Sequence, residues 1–181
     1  MDGAILNAAA ELLRSEGHEG FSLEQVAAGA GVARTTIYRR FPTRARLVVG
    51  LLSQLLEEAP IPDTGDIRGD LLALLRSMIA VLSRAGMREL VGELVAAATG
   101  DPEVGKAARL LWADRRAAAF GLLRRAGWTD PSIVVDQLAG PIYYRVLITG
   151  DPINDDYAEC LIAAALPIGR PLVDPPERRE E

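Results

Sequence analysis

The sequence contains two closely spaced helix signals separated by a glycine, and this spacing restricts the fold more than any other feature. Ser22-Leu-Glu-Gln25 is a capping box, in which the Ser22 hydroxyl accepts a hydrogen bond from a free amide of the first turn. The short helix that it opens is followed by Gly31, a residue suited to a tight reversal of the chain. The next helix, from 34 to 40, ends before Pro42 because proline disfavours helical geometry in the residue before it. The spacing predicts two short helices packed across a tight turn.

Helical patterns continue along the rest of the chain. Hydrophobic residues make up 49% of it, Ala and Leu dominate, and the alternation typical of strands is nearly absent. Thr43, Asp66, Asp101 and Asp130 stand where helix caps are expected. We therefore predict an all-α fold of about nine helices, with approximate bounds 3–16, 22–30, 34–40, 43–59, 66–82, 87–99, 102–126, 131–149 and 154–168.

Composition shifts divide the predicted helices into three regions. An N-terminal head, 1–46, holds three helices, and a larger helical bundle, 47–168, follows it. The clearest linker, Pro60 to Gly65, has two prolines, a glycine and an acidic turn residue. The end of the chain, 169–181, is rich in Pro, Glu and Arg and is expected to be a disordered tail.

The distribution of charge separates the head from the body. The net charge of −5 is unusual for a protein that binds nucleic acid. However, five arginines and no acidic residue lie between Ala33 and Gly50, whereas 14 basic and 20 acidic residues follow from Leu51 onward. A run of arginines is most often only a solvated face. Here it makes a locally basic patch on an acidic chain.

Scarce residue types exclude several kinds of site. Cys160 and His18 are the only cysteine and the only histidine, so a nitrogen- or sulfur-ligated metal site and Ser-His-Asp or Cys-His catalysis are not expected. We predict no cofactor and no enzymatic activity. No apolar stretch approaches the ~20 residues of a membrane span, and Asp2 and Glu11 stand where a signal peptide would be basic. The expected location is the cytoplasm, without a membrane partner.

The two short helices meet the requirements of a helix-turn-helix that presents its second helix to the DNA major groove. Val26 and the small Ala27 face the core of the unit, and Val32 fills the space between the two helices. Ile37 and Phe41 anchor the second helix. The positions left facing outward carry groups that reach bases and phosphates: Arg34, Thr35, Thr36, Tyr38, Arg39 and Arg40.

The segment from Phe21 to Leu47, including its Ile-Tyr-x-x-Phe-Pro run, resembles the N-terminal domain of the TetR family of repressors. The resemblance covers about the first 55 residues, and Gly140 to Gly150 is similar to the penultimate helix of many members. It implies a homodimeric regulator that binds a palindromic operator in double-stranded DNA. It also implies a helical body that responds to a small-molecule effector, whose identity the sequence does not give.

The resemblance also implies a role for each residue of the head. Tyr38 and Arg44 would meet backbone phosphates, while Arg34, Thr35, Thr36 and Arg39 would read bases. Two departures from the family pattern are that Ala33 cannot cap the second helix and that the chain begins almost at its first helix, without a basic arm. The predicted DNA-binding residues are Ser22, Arg34, Thr35, Thr36, Tyr38, Arg39, Arg40, Thr43 and Arg44.

The body is expected to supply a dimer surface and an effector cavity. For the surface we predict the apolar stripes of the last two helices: Val134, Leu138, Ile142, Val146, Tyr157, Leu161, Ala164 and Ile168. For the cavity we predict Met78, Leu82, Met87, Trp112, Arg116, Phe120, Tyr143 and Arg145. Both stripes also suit the core of a single chain. The alternative to a regulator is a helical small-molecule-binding protein or enzyme whose head is vestigial.

Overall fold

The computed structural model describes residues 2–58 and 62–168, and these residues form nine α-helices and no strand. The predicted all-α class is therefore confirmed over the described part of the chain. The helices are α1 (Asp2–Glu16), α2 (Leu23–Gly29), α3 (Arg34–Arg40), α4 (Arg44–Glu57), α5 (Ile67–Leu82), α6 (Met87–Gly100), α7 (Pro102–Arg125), α8 (Ser132–Tyr144) and α9 (Asp155–Ala165). The predicted tail, 169–181, lies outside the described residues.

Helices α1 to α3 form the head around a small apolar core. Phe21, Val26 and Ile37 are completely buried there, and Ala27 is almost completely buried. Gly31 has a φ of +66°, a left-handed conformation that side-chain-bearing residues rarely adopt. The amide of the following residue closes the turn by a 3.0 Å hydrogen bond to the Ala27 carbonyl. The predicted helix-turn-helix is confirmed.

Helix α4 connects the head to the body without a break. The predicted boundary between residues 46 and 47 falls inside this helix. Its apolar face carries Leu47 and Leu51 near the head and Leu55 and Leu56 further along, all of them buried. Because one continuous helix spans both regions, a change in its direction at the body moves the start of the helix at the head.

The body consists of α5 to α9, with α7 as its longest member at 24 residues. Helix α7 packs against α4, α5, α6 and α8, while α9 packs against α5 and α8. The turn before α6 approaches the head closely, because a Cβ on Gly86 would lie 2.6 Å from Leu13 Cδ1 and 3.0 Å from the His18 amide nitrogen. Gly86 also has a φ of +73°, so this position requires glycine on both counts.

Most predicted caps are present, but the one at Asp66 is wrong. The Asp101 carboxylate accepts from two amides of the first turn of α7, and Thr43 Oγ1 accepts from the Arg46 amide at 3.2 Å. Asp66 makes no such bond, because its φ and ψ of −86° and 90° depart from the extended backbone of a capping residue. Instead, the buried carboxylate of Asp70 accepts from the amide and hydroxyl of Thr64 and holds the preceding loop.

Helix α8 continues into a π-helical turn, Arg145–Thr149, which ends at Gly150. The Gly150 amide donates to the Arg145 carbonyl at 2.8 Å, a bond of the i to i−5 type. Pro141 stands one turn earlier, inside α8. The helix predicted over 131–149 therefore exists, with its last turn widened.

Half of the predicted dimer surface is buried inside the single chain. The stripe on α8 and its π-helical turn is at most 8% exposed, so its side chains belong to the core and cannot face a partner. The reason is that α8 packs against α5, α7 and α9, which cover this stripe. The corrected residues are Val134, Leu138, Ile142 and Val146.

Candidate functional site

Helix α3 turns a polar face to solvent while Ile37 holds it in the core. Ile37 is completely buried, and Tyr38 is 42% exposed despite its size. The α3 N-terminus lacks a side-chain cap, as the alanine at position 33 predicts, so its first amides point outward without a side-chain acceptor. The outward residues of α3 are Arg34, Thr35, Thr36, Tyr38, Arg39 and Arg40, of which only Thr36 is partly buried.

A carboxylate on α2 holds two of these predicted DNA contacts. Glu24 Oε1 lies 2.7 Å from Arg34 Nη2 and accepts a 2.5 Å hydrogen bond from the Tyr38 hydroxyl. The Tyr38 hydroxyl and then the Arg34 guanidinium lower the pKa of Glu24 to about 2. The hydrogen bond to this carboxylate in turn raises the pKa of Tyr38. Sequence reasoning missed Glu24, although an acidic residue beside Ser22 in the supporting helix was a usable signal.

Two of the predicted DNA-binding residues, Ser22 and Thr43, cap the helices that flank the recognition helix. Ser22 Oγ accepts from the Gln25 amide at 3.2 Å and donates to Gln25 Oε1 at 2.8 Å. Thr43 performs the same capping role for α4. A phosphate near either helix start would meet backbone amides as well as a hydroxyl, an arrangement that favours anions.

Arg44, which is predicted to meet a backbone phosphate, contacts groups of both the head and the body. Its Nη2 donates to the His18 carbonyl at 3.1 Å, its Nε lies 3.1 Å from Glu93 Oε2, and its guanidinium stacks 5.6 Å from the centre of the Phe21 ring. The other oxygen of Glu93 lies 2.5 Å from His18 Nε2. Since Glu93 belongs to α6, this cluster joins the head to the body. No sequence signal pointed to Glu93, which stands 75 residues after His18.

A second candidate site is an apolar cavity in the body, between α4, α5, α7 and α8. Its volume is about 160 Å³. Four of the eight predicted cavity residues line it, namely Met78, Trp112, Arg116 and Tyr143. The lining residues that sequence reasoning missed are Leu56, Leu74, Leu75, Ser77, Arg115, Ala119, Val135, Leu138 and Ala139.

The other four predicted residues lie outside the lining of this cavity. Leu82 and Met87 are buried in the core outside the cavity lining. Phe120 packs beneath the guanidinium of Arg116. The Arg145 guanidinium lies 3.5 Å from the centre of the Tyr157 ring.

The outer face of the last helices is more exposed than the buried stripe beside it. Ile133 on α8 is 43% exposed, and Tyr144 and Ile148 are 58% and 68% exposed. On α9, Ala164 is exposed and Leu161 is partly buried. Ile168 beyond the helix is 37% exposed.

The fold and the polar face of α3 define the class of this protein, a transcriptional regulator with a helix-turn-helix head. Residues 5–51 match the family described as bacterial regulatory proteins, tetR family. Residues 61–165 match the family described as tetracyclin repressor-like, C-terminal domain. The chain belongs to the TetR family.

Individual relatives agree with this assignment. The chain is 32% identical to the uncharacterized HTH-type transcriptional regulator YdeS of Bacillus subtilis, over 90% of this chain and 86% of that protein. The crystal structure of the TetR family transcription regulator SCO0332 has a TM-score of 0.75 and 36% identity, covering 91% of this chain and 96% of that one. The multidrug binding protein EbrR complexed with ethidium has a TM-score of 0.60 and 29% identity, covering 90% and 96%.

No helix in the described ranges combines the length and the apolar character needed to cross a membrane.

Proposed function

We propose that the chain is an effector-responsive repressor that binds a palindromic operator as a homodimer in the cytoplasm. The observation that carries this proposal is the exposed face of α3, with its arginines, threonines and tyrosine presented on a head that Ile37 and Gly31 hold in shape. An arginine at such a position can pair bidentately with guanine, and hydroxyl groups can bind phosphates. The match to a C-terminal family described as tetracyclin repressor-like supports repression of transcription.

The exposed apolar side chains at the end of the chain support a dimer. Ile133, Tyr144 and Ile148 lie outward on α8 and its π-helical turn, and Leu161 and Ile168 continue the predicted α9 stripe. An exposed apolar patch of this kind is typical of a protein interface. We assign the partner surface to these residues in place of the buried α8 stripe. Two heads related by a twofold axis would read half-sites about 34 Å apart.

Helix α4 supports a link between the cavity and the DNA-binding head. Leu56 lines the cavity, while Arg44 begins the same helix at the head. The 14 residues of the helix correspond to a length of about 21 Å. An effector that binds more tightly to one orientation of α4 shifts the dimer toward that orientation. The separation of the two heads then no longer fits the operator.

Selection of genomic DNA by the purified full-length chain tests the DNA-binding part of the proposal. We expect the retained fragments to share one palindrome, and the affinity for it to fall steeply with salt as counterions are released. Sedimentation of the complex should show two chains for each operator. Retention of all fragments alike, or one chain per operator, would contradict the proposal.

A further inference from the structure

The cavity in the body has apolar walls, although two arginines belong to its lining. Arg116 Nη2 pairs with Asp136 Oδ1 at 2.9 Å. Burial lowers the pKa of Arg115, and the charge of Glu57 acts in the opposite direction. Arg116 is therefore paired outside the cavity, and the charge of Glu57 offsets only part of the cost of burying Arg115. The surface that the lining presents to the cavity is almost wholly apolar, and no acidic residue is found among the described lining residues. A charged ligand would have to leave water for this apolar surface, which is costly.

The neutral polar groups of the lining offer at most one point of recognition. The Ser77 hydroxyl already donates to the Ala73 carbonyl at 3.0 Å. Tyr143 lines the cavity, and burial raises the pKa of its hydroxyl, so the phenol stays uncharged at any physiological pH. It makes no hydrogen bond within the described part of the chain and can serve one polar atom of a ligand.

The size of the cavity restricts the ligand further. Its volume of about 160 Å³ is close to that of engineered apolar cavities that bind benzene, about 150 Å³. Trp112 and Tyr143 meet edge to face in its wall, with ring centres 5.4 Å apart. Such a wall suits the face or edge of one further ring. A dye of several fused rings, such as the ethidium bound by EbrR, exceeds this volume.

We infer that the cavity selects a small uncharged molecule of about one substituted aromatic ring, with at most one hydrogen-bonding group, and that it rejects cationic dyes. This inference rests on the proposed effector role of the cavity and specifies its chemistry. The ring would lie against Trp112 and Met78, with its polar substituent at the Tyr143 hydroxyl.

A matched series of probes on the full-length chain tests the inference by calorimetry and tryptophan fluorescence, without DNA. The series is toluene, p-cresol, 4-methylbenzoate, 4-methylbenzylamine and ethidium. We expect toluene and p-cresol to bind, and the two charged analogues to bind at least about 100-fold more weakly, because they bring an unpaired charge into an apolar site. Equal binding of a charged analogue, tighter binding of ethidium, or no binding of either neutral ring would overturn the inference.

Substitutions in the lining test whether the probes bind in this cavity. Ala119→Leu and Ala139→Leu each place extra atoms in the lining and should abolish p-cresol binding. Ala117→Leu, on the exposed side of α7, is the matched control and should leave it unchanged. Tyr143→Phe should keep toluene binding and remove the preference for p-cresol. Circular dichroism shows whether Ala119→Leu and Ala139→Leu fold, and if one of them does not, the other provides the test. If either variant folds and still binds p-cresol as the original chain does, the ligand does not bind in this cavity.

Operator affinity measured separately distinguishes this inference from the proposed function. If p-cresol binds in the cavity without changing operator affinity, the effector role fails while the ligand class stands. If the chain selects an operator but binds neither neutral ring, the ligand class fails while the regulator stands.

Discussion

At the scale of single residues, Glu24 determines how the DNA-facing side chains are held before DNA binds. Its carboxylate holds both Arg34 and Tyr38, two groups that must contact DNA if the head binds as proposed. Binding therefore exchanges a carboxylate for phosphates or bases around the same donors. The exchange costs the loss of two charge-assisted hydrogen bonds, and it leaves a negative charge close to the DNA backbone.

Replacing this carboxylate should strengthen DNA binding. We expect Glu24→Gln to raise the affinity for unrelated DNA by about tenfold at low salt, because one repulsive charge is removed and two competing charge-assisted bonds become weaker neutral ones. Because the pKa of Glu24 is about 2, its charge is constant between about pH 5 and pH 8 and the difference should not vary with pH there. Fluorescence anisotropy against a salt series measures the effect.

The exposed Glu19 provides the control for net charge, since it lies outside the cluster around Glu24. Glu19→Gln changes the total charge equally and should raise the affinity much less. Equal gains from the two variants would show that only net charge matters.

Arg39 is predicted to contact a DNA base. It is exposed on the outward face of α3. Arg39→Ala should cost about 1 to 3 kcal/mol on the selected operator and little on unrelated DNA, because a base contact is lost. Arg14→Ala, on α1 and paired with Glu11, is the control. A uniform loss of affinity for all sequences would assign Arg39 to the phosphate backbone.

At the scale of helices, the starts were predictable because their signals are local. Ser22, Thr43 and Asp101 each bond to amides within three residues, so sequence spacing was sufficient to find them. The two faces of α8 could not be separated in this way. Val134 and Ile133 are adjacent and both apolar, but the first is buried and the second is 43% exposed. Which face is covered depends on the helices packed against it.

The cavity could not be predicted fully for the same reason. Its lining comes from four helices, with Leu56 and Tyr143 at its extremes in sequence. Large aromatic and sulfur-containing side chains suggested some of its residues correctly. The small Ala119 and Ala139, which leave the space, gave no signal in the sequence.

The exposed face of α8 and its π-helical turn leads to a prediction about assembly. Ile148→Asp should raise the dimer dissociation constant at least about 100-fold, because a charge would be buried in an apolar interface. Val95→Asp is the control, since Val95 is 52% exposed on α6 and is not among the residues proposed for the interface. Sedimentation equilibrium measures both variants. A dimeric Ile148→Asp variant would place the interface elsewhere.

At the scale of the whole molecule, Glu93 couples the body to the head. Its two oxygens contact His18 and Arg44 from α6, and the turn before α6 approaches the same loop at Gly86. The Glu93 side chain is 44% exposed, and exposed ion pairs contribute only about 0 to 1 kcal/mol to stability. The cluster therefore orients the head more than it stabilises the fold.

Removing the Glu93 charge should loosen the orientation of the two heads in the dimer. We expect Glu93→Gln to leave the melting temperature nearly unchanged and to broaden the distances between heads. Double electron–electron resonance measures these distances between spin labels attached at position 15 of each chain in the Ser15→Cys, Cys160→Ser double variant. Operator affinity should fall about tenfold, because ordering two heads for adjacent grooves then costs more conformational entropy. Affinity for an isolated half-site should stay the same, because each head keeps its own fold.

Glu89→Gln, one turn earlier on the exposed side of α6, is the matched control and should leave the distances between heads unchanged. An equal loss of affinity for operator and half-site in Glu93→Gln would mean that Arg44, once released, changes the contact of each head with DNA. The half-site measurement therefore separates a coupling role for Glu93 from a role in placing Arg44, since only the coupling role depends on two heads binding together.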